Sequence, residues 1–318
     1  MKIAKIRFCW IQFGTLLDKF FFEPASPRPL AALRIGLSSI LLWQAYLMHE
    51  GFQGFFASTG FVQKEVSYLL NNPALPRLNW LIDFYSRLGL SETEALSNLG
   101  FIYVCSLLFL LFGLFTRPMA FLAWFLNWSF LNTGYSGAYG ADLYIHIFLF
   151  YLVLVPAGGA YSLDCYLKRV SDKPSYQARL GLRVLQLHMC ISYLASGLEK
   201  ASGAQWWNGE IIFIALNTPG YRIMDSHWLA QVSFIPMIAG WVVLAVEIFY
   251  GVFIWPQKTR TIWIIAACLL HVGIAIFLRL HVFGLLMCIP TIALFAFPAD
   301  VAVSPVLQPV SRKIFARR

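Results

Sequence analysis

Eight predominantly apolar stretches constrain this chain more than any single motif: roughly 30–49, 97–115, 118–135, 141–158, 180–200, 229–254, 261–278 and 281–297. Each is close to the roughly 20 residues that a helix needs to cross a hydrocarbon core. No water inside a bilayer satisfies backbone N–H and C=O groups, so a spanning segment of this length must bond within itself as an α-helix. The expected fold is all-α, a polytopic transmembrane helical bundle of about eight spans. Charge agrees with this. Only 12% of the 318 residues are charged and 59% are hydrophobic, whereas a soluble domain carries roughly 25% charged residues.

Lysine and arginine set the orientation. With the N-terminus inside, sixteen basic residues fall in inner segments and six in outer ones, while Arg34 and Arg183 lie within spans. The positive-inside rule then predicts both termini in the cytoplasm and a multi-pass protein of the inner (plasma) membrane. The net charge of +9 belongs to these short basic segments, which meet lipid headgroups. No basic stripe interleaved with aromatics lies outside the spans, so membrane lipids are the expected contact and nucleic acid is not.

Three regions are expected. In residues 1–24, Ile6, Trp10, Phe13, Leu17 and Phe20 recur at helical spacing, which predicts an amphipathic helix in the membrane interface. That segment lacks an apolar core followed by a small-residue cleavage site, so no signal peptide is expected. Residues 25–297 form the transmembrane domain, and 298–318 a basic cytoplasmic tail. Two outer segments are long: 50–96, with apolar residues spaced for short helices, and 201–228, another amphipathic piece closed by a Pro-Gly turn. None of the six cysteines forms a CxxC pair, so neither a disulfide framework nor a metal site is indicated.

Ionisable groups within spans are costly, and each raises a functional question. At the outer side lie Asp142 and His146, Glu199 and Lys200, and Arg279 and His281. At inner or middle depth lie Arg34, Arg183, His188, Glu247 and His271. Asp142 and His146 stand at i and i+4, so they share a helix face within hydrogen-bonding reach. Tyr193, Ser196, Gly197 and Lys200 fall on one arc of the fifth span, where Gly197 leaves room for a partner helix or a planar ligand. Plainer roles compete with these. A lysine in the last turn of a helix can snorkel to the interface, Trp206 and Trp207 can mark the interfacial aromatic belt, and Glu247 can form a structural ion pair with Arg34 or Arg183.

Four stretches carry a family resemblance: RPLAALRIGLSSILLW, YGADLYIHIFLFYLVLVPAGGAYSLD, YLASGLEKASGAQWWNG and LLHVGIAIFLRLHVFGLLMCIP. Together they resemble the HTTM family, bacterial relatives of the membrane part of the vitamin K-dependent gamma-carboxylase, over most of residues 25 to 297. The fifth-span motif is the most specific. The resemblance implies that Lys200 stands where the carboxylase has the lysine proposed to deprotonate a reduced naphthoquinone. A reduced quinone is therefore the cofactor it implies, with Tyr193, Gly197, Trp206 and Trp207 around it. Partial desolvation among such side chains favours a free amine. Where the carboxylase has a histidine and an asparagine at the start of its fourth span, this sequence reads GADLYIH, leaving Asp142 or His146 as the substitute. The carboxylase also carries a large extracytoplasmic β-rich region after its spans. This chain has only a short basic tail there, so its substrate is expected to be small, or held by the long outer segments, or brought by a partner.

Three functions follow from this reading. One is a membrane enzyme using Lys200 as a base, with Asp142 and His146 assisting, on a quinone-like or other lipid-soluble substrate. Another is a maturation, export or immunity factor for a small secreted peptide, a role that some HTTM-like bacterial proteins accompany. The third is a proton-coupled transporter relaying through Asp142, His146 and Glu247, which the absence of an internal repeat disfavours.

Overall fold

The structure is a computed structural model that describes residues 14–61, 69, 72, 74–134, 137–297 and 299. Eight principal helices correspond to the eight apolar stretches: α1 Arg28–Met48, α2 Glu92–Phe112, α3 Thr116–Thr133, α4 Gly140–Leu154, α5 Tyr176–Ala201, α6 Phe234–Phe253, α7 Gln257–Phe277 and α8 His281–Phe295. Among the described residues there are no strands, only an isolated bridge between Ala25 and Ser175. By length and composition α1, α2, α6 and α7 are each able to cross a membrane, and α4 and α8 are shorter apolar helices. The protein is an all-α, multi-pass membrane protein. Large apolar side chains such as Phe101, Phe112, Ile262 and Leu269 lie exposed, as lipid-facing surface requires.

Local chemistry explains the helix boundaries. Ser91 and Glu94 form a reciprocal capping box at the start of α2, and Gly113 ends that helix in the left-handed region at φ 66°, a conformation glycine adopts without a Cβ penalty. Ser175 caps α5 by accepting from the Ala178 N–H. That cap starts α5 at Tyr176, several residues earlier than hydropathy alone indicates, so Arg179 and Arg183 both lie within the helix. The outer segments contain the expected short helices, Phe52–Phe56 and Leu78–Arg87 in the first and Ala204–Trp207 and Glu210–Asn217 in the second. Of the predicted N-terminal helix, residues 14–22 are helical, while Ile6, Trp10 and Phe13 lie outside the described residues, as does the basic tail apart from Ala299.

The helices pack as two groups. α1 to α4 follow one another as neighbours, as do α5, α6, α7 and α8, and α8 against α1 joins the groups. Small residues permit the closest approaches. A Cβ on Gly36 of α1 would stand 2.6 Å from Ile289 of α8, and one on Gly284 of α8 would stand 2.7 Å from Ala275 of α7. In lipid, where apolar surface gains little from helix contact, such close van der Waals packing holds helices together.

Arg34 acts in this framework. Its Nη1 donates to the Leu110 carbonyl at 2.6 Å and the Leu111 carbonyl at 3.3 Å, and its Nη2 to Tyr161 at 2.6 Å and Ala160 at 3.4 Å. Leu110 and Leu111 lie in the last turn of α2, where carbonyls lack the i+4 N–H of a continuing helix, although the Leu110 carbonyl also accepts from the Gly113 N–H at 3.0 Å. Asp164 does the converse for α3, accepting from the Phe115 and Thr116 N–H groups at 3.0 and 2.8 Å. A cation and an anion therefore clamp the two ends of the α2–α3 turn, each matching the sign of the helix end it meets. Burial alone would raise the Asp164 carboxyl, but hydrogen bonds from Thr116 and Phe115 and the nearby Arg169 outweigh it and hold the group below the usual carboxylate range.

Candidate functional site

The polar centre of the second group of helices is built from α5, α6, α7 and α8. Lys200 Nζ donates to both carboxylate oxygens of Glu247, at 2.7 and 3.0 Å, and to Ser196 Oγ one helical turn earlier. All three ammonium donors are thus occupied. The Lys200 side chain is 25% exposed and that of Glu247 only 7%. Trp206 lies beside the pair, its ring centroid 5.5 Å from Nζ.

Lys200 and its partner stand at different positions along their helices. Lys200 is in the last turn of α5, the position from which a lysine would snorkel. Yet Glu247 is the fourteenth residue of the twenty in α6, roughly 20 Å along that helix from its start at 1.5 Å per residue. The chain after α5 runs back beside the first half of α6: a Cβ on Gly240 would collide with the Trp206 carbonyl, and the Trp241 indole donates to the Trp207 carbonyl at 2.9 Å. The end of α5 is therefore roofed by the 204–217 segment, and Lys200 meets a carboxylate well inside the bundle. Trp207 is tied to the same turn, its Nε1 donating to the Ala201 carbonyl at 2.8 Å.

Gly197 makes the pairing sterically feasible. A Cβ there would stand 2.8 Å from Ile248 Cγ1, 2.9 Å from Ile248 N and 3.0 Å from Glu247 Cβ. Of the two partners expected for this glycine, a helix or a planar ligand, the space goes to α6. Below the ion pair a hydrogen-bonded aromatic layer continues. The Tyr193 hydroxyl is 2.7 Å from His271 Nε2 of α7, and its ring stacks on Tyr250 of α6 with centroids 4.0 Å apart and planes 8° from parallel. Tyr250 in turn is 3.2 Å from Thr291 Oγ1 of α8. Lys200 lies within electrostatic reach of His271, and Glu247 of Tyr193, so the centre is one continuous polar unit.

This chain's HTTM domain, matched by the family model, extends over residues 22–299. The chain belongs to the HTTM family. No curated protein and no solved structure matches it.

The HTTM domain does not draw every candidate residue to Lys200. The Asp142 carboxylate caps α4, accepting from the Tyr139 N–H at 3.0 Å. His146 packs against Trp124 and Trp128, with ring centroids 5.6 and 5.5 Å away, and its Nδ1 has no hydrogen-bond partner. No hydrogen bond joins Asp142 to His146 among the described residues. Both sit in the first group of helices, with Asp142 on the wall of a separate cavity. Glu199, Arg279 and His281 are exposed. His188 meets the Tyr151 hydroxyl at 3.1 Å, apart from the centre.

The expected pairing of Glu247 with Arg34 or Arg183 is corrected here, because Glu247 bonds to Lys200 while Arg34 holds backbone carbonyls and Arg183 bonds to Gln186 and the Phe20 carbonyl. Hydropathy placed Lys200 at the rim and Glu247 deeper, and so kept them apart. Tyr250 and Thr291 went unnoticed in the sequence. The spacing of Glu247 and Tyr250, i and i+3 on one face of α6, was the available signal.

Proposed function

We propose that this HTTM protein is a membrane enzyme in which Lys200, partnered by Glu247, serves as a base toward a lipid-soluble weak acid of the reduced-quinone class. The observation that carries the reading is a lysine ammonium held on a nearly buried carboxylate, in a lysine whose side chain is still a quarter exposed. Desolvating both heads of an ion pair can cost more than their attraction returns, and here the carboxylate is nearly buried while the lysine side chain keeps an open side.

The residues present fit such a ligand in part. Lys200 offers its charge, and Trp206 and the exposed Trp207 offer aromatic rings close to it in the chain. Tyr193 and Gly197 do not line the open side, since one stacks on Tyr250 and the other packs on α6. When bound, a reduced quinone would supply an acidic hydroxyl and the electrons for an oxidation. The protein's own part is proton handling. Glu247 takes a proton from Nζ, leaving an amine whose lone pair accepts a proton at the open side, and Ser196 keeps Nζ oriented throughout. Asp142 and His146 stand apart from the pair and take no part in this reading.

The reading places the protein in the plasma membrane with both termini in the cytoplasm, from its basic-residue asymmetry. Cysteine-accessibility labelling at Ser58 and Ser171, which lie in predicted outer and inner segments, tests that orientation by opposite reactivity.

A second reading, a factor that handles a small secreted peptide, is favoured by one observation: Tyr221, Ile223, Met224 and Trp228 form a run of exposed large side chains in the outer segment. Native mass spectrometry of the protein purified with lipid extract separates the two, comparing wild type with Lys200→Ala and Lys200→Arg. A small aromatic ligand present in wild type and lost in Lys200→Ala supports the enzyme. Phospholipid alone, identical in all three proteins, removes the base role and leaves peptide handling ahead.

A further inference from the structure

The first group of helices encloses a cavity of about 570 Å³ that the Lys200 centre does not use. It lies between the C-terminal end of α1, the N-terminal half of α2, the C-terminal half of α3, the start of α4 and the short helix Phe52–Phe56. The volume is that of a small-molecule site. Its walls are chiefly apolar and include six Phe and Tyr rings. Phe130 forms the middle, with ring centroids 5.5 Å from Phe52, 5.7 Å from Phe56 and 5.2 Å from Tyr103. Against this apolar lining stand a few polar groups, including Asp142, Gln44 and Asn127. The Asn127 Nδ2 is buried and lacks a hydrogen-bond partner.

Charge identifies the occupant. Among the described residues Asp142 is the one carboxylate on the cavity wall, no lysine or arginine lines the cavity, and its one histidine, His49, is exposed and stands 3.9 Å from Glu50. The hydrogen bonds to Asp142 come from neutral donors, the Tyr139 N–H and the Gln44 side chain, and no cation pairs with it among the described residues. A carboxylate beside an apolar membrane cavity is unfavourable until a counter-charge reaches it. An anionic lipid headgroup would add repulsion, and a neutral alkyl chain would leave the charge as it is. A cationic head offsets it, and the surrounding Phe and Tyr rings attract the same charge through their faces.

We propose that this cavity binds a cationic amphiphile, an alkyl-chain primary ammonium whose head pairs with Asp142 and whose chain lies along Phe52, Phe56 and Phe130. The site is independent of Lys200, and its test does not depend on whether that lysine is a base.

The experiment is photoaffinity labelling of the full chain in zwitterionic lipid nanodiscs, using a diazirine-bearing long-chain primary amine and, in parallel, the alcohol and the carboxylate of equal chain length. Labelled peptides are mapped by mass spectrometry, and dissociation constants are read from competition with the unlabelled amine. The amine should label the lining segments of α1, α2 and α3 in a competable way, and the alcohol and carboxylate should not. Asp142→Asn should weaken amine binding about tenfold or more, the range of one charged hydrogen bond. Gly100→Phe adds bulk to the cavity wall where a Cβ would stand 3.6 Å from the Phe52 ring, and it should abolish competable labelling. Equal labelling by amine and alcohol overturns the proposal, as does labelling confined to the lipid-facing surface or an unchanged affinity in Asp142→Asn. The headgroup comparison needs only wild-type protein, so it decides the matter even where a variant fails to fold.

Discussion

Removing one member of the Lys200–Glu247 pair should cost more than removing both. Lys200→Met leaves the Glu247 carboxylate, 7% exposed, without a counter-charge. Breaking a buried pair from one side costs about 3–5 kcal/mol, and the partial exposure of the lysine brings the expected loss to about 3 kcal/mol. Glu247→Leu strands the lysine instead, whose side chain is 25% exposed and flexible enough to turn its head toward the open side, so about 1–2 kcal/mol is expected. The double variant strands no charge and fills the space with apolar side chains, and it should lie within about 1 kcal/mol of wild type. Reversible unfolding by steric trapping in bicelles measures all four proteins. The coupling energy should be about 3–6 kcal/mol, with Lys200→Met the less stable single variant. Additive losses, or a larger loss for Glu247→Leu, would refute the argument from burial. The double variant also serves the functional question: a stable protein without Lys200 that keeps its activity eliminates the base.

Three further outcomes follow from the packing. Gly197→Ala drives a methyl into Ile248 N, which is backbone and cannot rotate away, so α5 and α6 must separate and stability should fall by about 1–3 kcal/mol in the same unfolding assay. Arg34→Lys replaces a planar fork reaching four carbonyls with a single ammonium; the α2–α3 turn should loosen, seen as faster hydrogen exchange at Leu114 and Phe115, with a loss of about 2 kcal/mol. Asp164 has a carboxyl held below its ordinary value of 3.8, so the unfolded chain binds its proton first as pH falls. Its contribution is complete above the ordinary carboxylate range and disappears as pH drops through the lower folded value; Asp164→Asn should therefore destabilise the protein at pH 7 and progressively less as pH falls below the ordinary carboxylate range, as read by melting in detergent.

The helical architecture was legible in the sequence because membrane burial writes each span as a long apolar run, and runs such as 97–115 and 261–278 need no partner information to be recognised. Helix starts were less legible. α5 begins where Ser175 caps it, and hydropathy is blind to a cap followed by arginines. The roles of the charged residues were least legible. Arg34 looked like a buried charge in search of an acid, but an arginine can be satisfied by carbonyl dipoles, and the carbonyls that do so lie 76 and 127 residues away in sequence.

Lys200 shows why the site, more than the fold, depends on tertiary structure. Position within its own helix assigns it to the rim, and by that measure it is an anchor. The measure fails because α6 is staggered against α5: the chain after Ala201 folds back along the first half of α6, so the end of one helix meets the interior of the next. A glycine at 197 permits the contact, and a carboxylate at 247 receives the charge. A rim lysine could lose its head to water with little consequence, whereas this one is fixed by three acceptors and by a glycine that admits no side chain. That fixity is what a base needs for orientation, and it is why the ion pair, rather than the aromatic rim or the Asp142 end of the bundle, carries the functional proposal.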